Sequence, residues 1–378
     1  MPTASPSWTI SSRYRILVRQ PNGPVPAWPR WQPATWPPCC TDTRYGTKTI
    51  FSNTSAFRFR RQCPPLSTPR LWALPCFRKH ARRPEPEAKT TSELVVTVKP
   101  GVLLTFVLFI VLAAVGGCGP PYETDTDKLF GDVVPLSGSY EVAGQPVYYV
   151  QTGNPDGAAV IFIHGTPGSW EGYGVFLADE RLQGSFRLIA VDRPGFGSAA
   201  DQQLELSLQK QAELFHPLLE GEKGQCRPIV VGHSLGAPVA ARMAMDFPDE
   251  VGGVLLIAPS LDPDLEQPRW YNHLAEWRLV RWVLPEVMER ANDEVFALPD
   301  ELRAMVPLWS FISVPVTLIQ GNKDKLVSPA NVEFAESMLP GETLRTVRVA
   351  EAGHFILWKQ PELIIEELIA LADRCVNY

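Results

Sequence analysis

From Val147 to Ala372 the chain alternates between two kinds of segment, and this alternation limits its fold more than any other feature. Val147–Gln151, Ala159–Ile163, Arg187–Val191, Pro228–Val231, Val254–Ile257, Val316–Ile319 and Arg345–Val349 are short runs rich in β-branched and aliphatic residues. Gln203–Leu219, Leu235–Phe247, Asn331–Leu339 and Pro361–Ala372 have helical periodicity and separate most of them. Strands that alternate with helices cross over in one direction, which predicts a mainly parallel sheet with helices on both faces. Between Ser260 and Ser313 the alternation gives way to helical material rich in Trp, Leu and Arg, read as an inserted cap over about residues 261–312.

The remaining chain divides by composition. Residues 1–93 hold 15 of the 35 Lys and Arg but only 4 of the 41 Asp and Glu, so this section is near +11 and the rest near −17. The first section also has 15 prolines and 5 tryptophans and sustains neither a 3.6-residue nor a two-residue period. It reads as a disordered basic segment or as an upstream stretch included by an early start assignment. The acidic remainder argues against a nucleic-acid partner, and no zinc-finger, RNA-binding or helix-turn-helix pattern interrupts it. The seven cysteines show no C-x-x-C spacing, which argues against a structural metal site. A Cys226–Cys375 bridge stays open, because sequence separation carries no geometry.

Lys99 precedes an apolar run, Val102–Val115, that is short for a membrane span and suits the core of a secretory signal. Val115-Gly116-Gly117-Cys118 closes the run and resembles the bacterial lipobox, whose cysteine is acylated and becomes the new N-terminus. Residues 94–118 are therefore expected to be a lipoprotein-type signal with Cys118 as the lipidation site and a true start near Val98. An uncleaved anchor helix is the alternative. Both place the remainder on the extracytoplasmic side and tether it to a membrane, with 119–133 as a linker and 134–378 as the folded domain.

The chemistry centres on one turn. Strand residues Ile229-Val230-Val231 run into Gly232-His233-Ser234-Leu235-Gly236, and a helix follows. A G-x-S-x-G turn in that setting holds serine in a strained conformation that lifts Oγ above the sheet, with a helix N-terminus behind it. Pro238 falls in the first helical turn, where no backbone donor is needed.

With this turn the chain, from Val134 to Cys375, resembles the α/β-hydrolase superfamily. His164-Gly165-Thr166-Pro167-Gly168 is similar to the family's oxyanion loop, and Asp192-Arg193-Pro194-Gly195-Phe196-Gly197-Ser198 to its D-x-x-G-x-G-x-S turn. The resemblance implies a mostly parallel eight-stranded sheet with a small helical cap, and a triad in the order serine, acid, histidine. Those roles fall on Ser234, on Asp324 in Gln320-Gly321-Asn322-Lys323-Asp324, and on His354 in Ala352-Gly353-His354-Phe355. Backbone N–H groups of Leu235 and Thr166 are the expected oxyanion donors. Asp262 and Asp264, after Val254–Ile257, are held as rival acids. His164 and His233 read as packing and loop-fixing residues, and Asp192 as a turn cap.

Serine at the elbow argues against haloalkane dehalogenase or epoxide hydrolase chemistry, which uses aspartate there. The expected activity is serine hydrolysis of a carboxylic ester or related acyl bond in a small-molecule substrate. An amidase or aminopeptidase of the same fold, or a non-catalytic surface-anchored binding protein, is the alternative. No metal, flavin or nucleotide motif appears, so no cofactor is expected. Trp270, Tyr271, Leu274, Trp277, Leu279, Val280, Trp282 and Val283, with Arg269, Arg278 and Arg281 among them, give the cap an apolar face. Most of these are expected to pack the cap onto the sheet, around an apolar acyl guest.

Overall fold

The computed structural model describes residues 17–18, 126–131, 133–220 and 226–377. The basic first section, the apolar run, Cys118 and most of the expected linker lie outside the described residues.

Eight strands form one sheet: β1 (Leu136–Val142), β2 (Gln145–Gly153), β3 (Ala158–Ile163), β4 (Phe186–Val191), β5 (Ile229–His233), β6 (Gly253–Ile257), β7 (Val316–Gly321) and β8 (Leu344–Val349). Their order is β1-β2-β4-β3-β5-β6-β7-β8. The pairs β1–β2 and β2–β4 are antiparallel and every later pair is parallel. At the outer edge the two-residue segment Leu17–Val18 pairs antiparallel with β1 as a ninth member. β1 has no counterpart among the sequence-predicted runs, because Leu136-Ser137-Gly138-Ser139 is too polar to read as a buried strand.

Side chains alternate between two apolar layers. On β3, Ala159, Ile161 and Ile163 join helices 208–215 and 236–246 on one face, and Ala158, Val160 and Phe162 join helices 174–178 and 361–377 on the other. All six β3 residues are buried. A strand covered on both faces has no polar side, which explains its unbroken apolar run. Each large aliphatic side chain so buried contributes about 1.5 to 3 kcal/mol.

The predicted helix over Gln203–Leu219 is shorter, running Leu208–Phe215 with a 3-10 turn at His216–Leu218. The Ser207 hydroxyl caps it by accepting from the Lys210 N–H at 3.5 Å, so the chain before Ser207 is not helical. Between β6 and β7 lie helices Trp270–Ala275, Arg278–Arg281 and Glu286–Met305 and a 3-10 segment, Val306–Phe311. Leu298, Leu302, Met305 and Trp309 from the second half of this insertion reach the core. The first half does not: neither of its two short helices buries a residue. Of the expected packing face, Trp270, Tyr271, Trp277, Leu279, Trp282 and Val283 are therefore turned outward, while Leu274 and Val280 are half-buried. Cys226 and Cys375 are free thiols, so no bridge joins them. No helix among the described residues is long and apolar enough to cross a membrane.

Candidate active site

Parallel strands end together, so the loops leaving their C-terminal ends converge. The strand order reverses at β3, which has β4 on one side and β5 on the other, and a crevice forms where such a reversal occurs. Four loops meet there: those after β3, β5, β7 and β8.

Ser234 follows β5 with φ of 53°, a left-handed conformation that strains a residue carrying a Cβ. The helix Gly236–Asp246 starts two residues later and fixes the turn. The flanking glycines are a steric requirement. A Cβ on Gly232 would lie 2.4 Å from the Gly236 carbonyl oxygen, and one on Gly236 would lie 2.3 Å from that of Ile163. The elbow is therefore pressed against the end of β3 and the loop after it. A Cβ on Gly165, in that loop, would approach the Ser234 Cβ to 2.9 Å.

The hydroxyl of Ser234 lies 3.1 Å from His354 Nε2, and His354 Nδ1 lies 2.8 Å from Asp324 Oδ2. These residues are 120 and 30 positions apart in sequence. Asp324 also accepts from the backbone N–H groups of Leu326 and Val327, each at 2.9 Å, and from Gln320 Nε2 at 3.3 Å. Burial alone would raise its pKa. The hydrogen bond and charge of His354 and the two backbone donors outweigh that and hold the carboxyl below its ordinary value. Asp324 is thus an anion fixed on the Nδ1 side of the imidazole, which leaves Nε2 free to accept from Ser234.

Asp262 and Asp264 are not brought to this imidazole. Asp262 Oδ1 accepts from the Asp264 N–H at 2.9 Å in a local turn, and Asp264 pairs with Arg303. His164 and His233 hold loops. His164 Nδ1 donates to the Gly165 carbonyl at 2.7 Å, and its Nε2 accepts from the Arg193 N–H at 3.0 Å. Burial, then the Arg193 charge, lowers its pKa well below the usual value. His233 Nε2 donates to the His354 carbonyl at 3.2 Å. Burial, then the His354 charge, lowers its pKa to about 3. His216 pairs with Glu250, and His273 packs edge-on against Phe296. His80 lies outside the described residues. Asp192 caps its turn through the N–H groups of Trp170 and Ser198, at 2.8 and 2.7 Å.

Three features of the site carry no sequence signal. Arg193 in the turn after β4 is buried and forms an ion pair with Glu294 of the cap, Nη1 to Oε1 2.6 Å. Its Nη2 donates to the Gly165 carbonyl at 2.9 Å, tying the cap to the loop beside Ser234. Glu266 is a second, half-buried acid within electrostatic reach of His354; desolvation raises its pKa against hydrogen bonds from Asn331 and Ser260. The Thr166 hydroxyl is buried with no hydrogen-bond partner among the described residues. A cavity of about 510 Å³ beside the cap is lined by Leu204, Leu206, Glu276 and Phe296, and its walls include no member of the relay.

The model of the alpha/beta hydrolase family matches residues 160–367, more than half of the chain. The chain belongs to that family. The matched segment holds the loops after β3 and β5, the whole cap and the Ser234–His354–Asp324 relay. Among the hydrolase-family chain's curated relatives is a dihydrolipoyllysine-residue acetyltransferase component of an acetoin cleaving system from Cupriavidus necator, 31% identical over 139 residues. That match covers 36% of each chain. A pimeloyl-[acyl-carrier protein] methyl ester esterase from Nitrosomonas europaea is 34% identical over 115 residues, covering 30% of this chain and 40% of that one. The chain thus spans well under two thirds of these relatives. Among solved structures, Lip1, a candidate lipase of Acinetobacter baumannii AYE, superposes with a TM-score of 0.53 at 18% identity. It covers 69% of this chain and 99% of its own, and the likeness is one of fold.

Proposed function

We propose that this protein is a serine hydrolase that cleaves a carboxylic ester, or a related acyl bond, of a small-molecule substrate through an acyl-enzyme. The observation that carries the reading is the hydrogen-bonded relay from Ser234 through His354 to Asp324, with Ser234 in its strained turn.

A serine hydroxyl is a weak nucleophile at neutral pH. His354 Nε2 takes the proton as Oγ attacks the acyl carbon, and the ester C=O becomes a tetrahedral oxyanion. Asp324 stabilises the imidazolium and keeps the proton on Nδ1 without accepting it. The N–H groups of Leu235 and Thr166 are assigned to the oxyanion, and each such donor lowers the barrier by about 3 kcal/mol in comparable sites. On collapse the C–O bond breaks and His354 protonates the departing alkoxide. Water then repeats the sequence on the acyl-serine, releasing the acid and restoring Ser234. No step requires a cofactor.

Amide cleavage by the same machinery is the second reading, because the relay serves either leaving group. A non-catalytic binding role is disfavoured by the intact relay, since a binding surface has no need of an imidazole aligned on a serine. Hydrolysis of p-nitrophenyl esters of graded chain length tests the proposal. Turnover is expected in the parent and lost in Ser234→Ala. Turnover that survives the substitution, or none with any ester or amide, overturns it.

We also propose that the chain is exported and tethered through lipid on Cys118, a reading supported by the order of Lys99, the apolar run and Gly116-Gly117-Cys118.

A further inference from the structure

The first half of the cap breaks the usual division between inside and outside. Trp270, Trp277, Leu279 and Trp282 are 74, 65, 80 and 85% exposed, and Val283 beside them is exposed as well. Scattered single apolar residues on a surface are ordinary, but four large ones within thirteen residues are not. They lie in or directly flank two short helices that bury nothing, so packing does not account for them. From these observations we infer that this face docks into the surface of a lipid bilayer.

Three features favour lipid over another protein. The residue types are those of a membrane interface: tryptophan, whose amphipathic ring settles at headgroup level, with arginine, whose apolar stem lies along hydrocarbon while its charge stays in water. Arg278, between Trp277 and Leu279, is exposed and has no acidic partner among the described residues. Its charge complements anionic headgroups, in a chain whose residues from 94 onward are otherwise strongly acidic. Finally, the apolar run Val102–Val115 and Cys118 carry the tethering proposed above, and the lipid assignment rests in part on that reading.

The face is joined to the site. The Arg269 guanidinium at its start donates to the carbonyls of Lys325 and Leu326, at 2.7 and 2.9 Å, in the loop that carries Asp324. Leu326 and Phe355, next to the relay residues, are themselves exposed. A bilayer on the cap would therefore lie against the loop that carries Asp324.

Hydrogen exchange on the full chain decides the docking. With vesicles of phosphatidylcholine and phosphatidylglycerol, amides over residues 270–288 are expected to become protected while those of β3 to β7 stay as in buffer. Protein that floats with the vesicles yet exchanges freely over 270–288 overturns the inference, because the tether alone then holds it. Concentration-dependent protection of 270–288 without vesicles also overturns it, since a second copy then covers the face. A Trp277→Ser/Trp282→Ser variant gives a second readout. Hydrolysis of a long-chain ester presented in vesicles should fall about tenfold, the loss expected for two partly buried aromatics. Hydrolysis of a soluble short-chain p-nitrophenyl ester should stay unchanged, and equal loss on both substrates counts against docking. If no ester is turned over at all, the hydrolase reading fails, and the exchange experiment still decides the docking.

Discussion

Arg193 and Glu294 form a buried ion pair between the turn after β4 and the long cap helix, and the same guanidinium holds the Gly165 carbonyl beside Ser234. Glu294 Oε2 adds a second contact to Nη2 at 3.0 Å, so the pair is bidentate. Gln211 and the ring of Phe196 complete the surroundings of the cation. Position of the cap and position of the loop beside the nucleophile are therefore one property.

Removal of one partner should cost more than removal of both. Glu294→Ala leaves a buried guanidinium without its counter-charge and is expected to lower stability by about 3 to 5 kcal/mol. Arg193→Met/Glu294→Leu should regain much of that loss in chemical denaturation. Turnover should remain depressed in the double variant, because the Gly165 carbonyl keeps only His164 Nδ1 as donor and the loop is no longer tied to the cap. A double variant with parental turnover would show that the pair acts only on stability.

The acid of the relay can be separated from its neighbours by substitution. Asp324→Asn preserves shape but withdraws the charge that selects the Nδ1 tautomer, and turnover should fall by about 10⁴, as in analogous triads. Asp262→Asn should change turnover little, because that side chain is engaged in its own turn. A nearly silent Asp324→Asn would show that another acid, with Glu266 the first to examine, orients His354.

Two buried histidines make the fold sensitive to acid. His233 and His164 both have pKa values lowered by burial, to about 3 for His233. The unfolded chain binds protons on these groups below about pH 6.5, where the folded chain does not, so stability falls as pH falls. The window for His233 runs from about 6.5 down to about 3. Between pH 7 and pH 5 each group should remove up to about 2 kcal/mol, measured as a drop in the denaturation midpoint. His233→Gln should show a shallower pH dependence than the parent, and equal slopes would mean that other groups dominate.

At the front of the chain, a protein started at Val98 should be as active as the full reading frame and should partition into detergent. Cys118→Ser should abolish incorporation of labelled fatty acid. Two or more acyl chains, at about 0.8 kcal/mol per methylene, anchor a domain stably, whereas one holds it marginally. Mass spectra of native material containing peptides from residues 1–93, or an unmodified Cys118 still joined to Gly117, would exclude the lipoprotein reading.

What the sequence determined by itself is everything that depends on local pattern. Strands β3 to β7 show as apolar runs because both faces of the central parallel sheet are covered, while β2 and β8, only partly buried, show through their β-branched and aromatic residues. Ser234 stands out because a strand, a glycine-flanked turn and a helix are contiguous in the chain. Asp324 and His354 could be placed because each follows a strand end, and β1 was lost because its polar residues lack that pattern. Relations between distant segments were decided by the tertiary structure alone. Asp262 and Asp324 both follow strands, and only the packing of the loops shows that Asp324 meets the imidazole. The partnership of Arg193 with Glu294 spans 101 residues and follows no spacing. The cap's tryptophans have the composition of a packing face, and their outward direction is set by how Asn272, Glu276 and Arg281 tie the two short helices to the long cap helix. Composition fixes what a side chain prefers to touch, while the fold fixes which surface is left for it to touch.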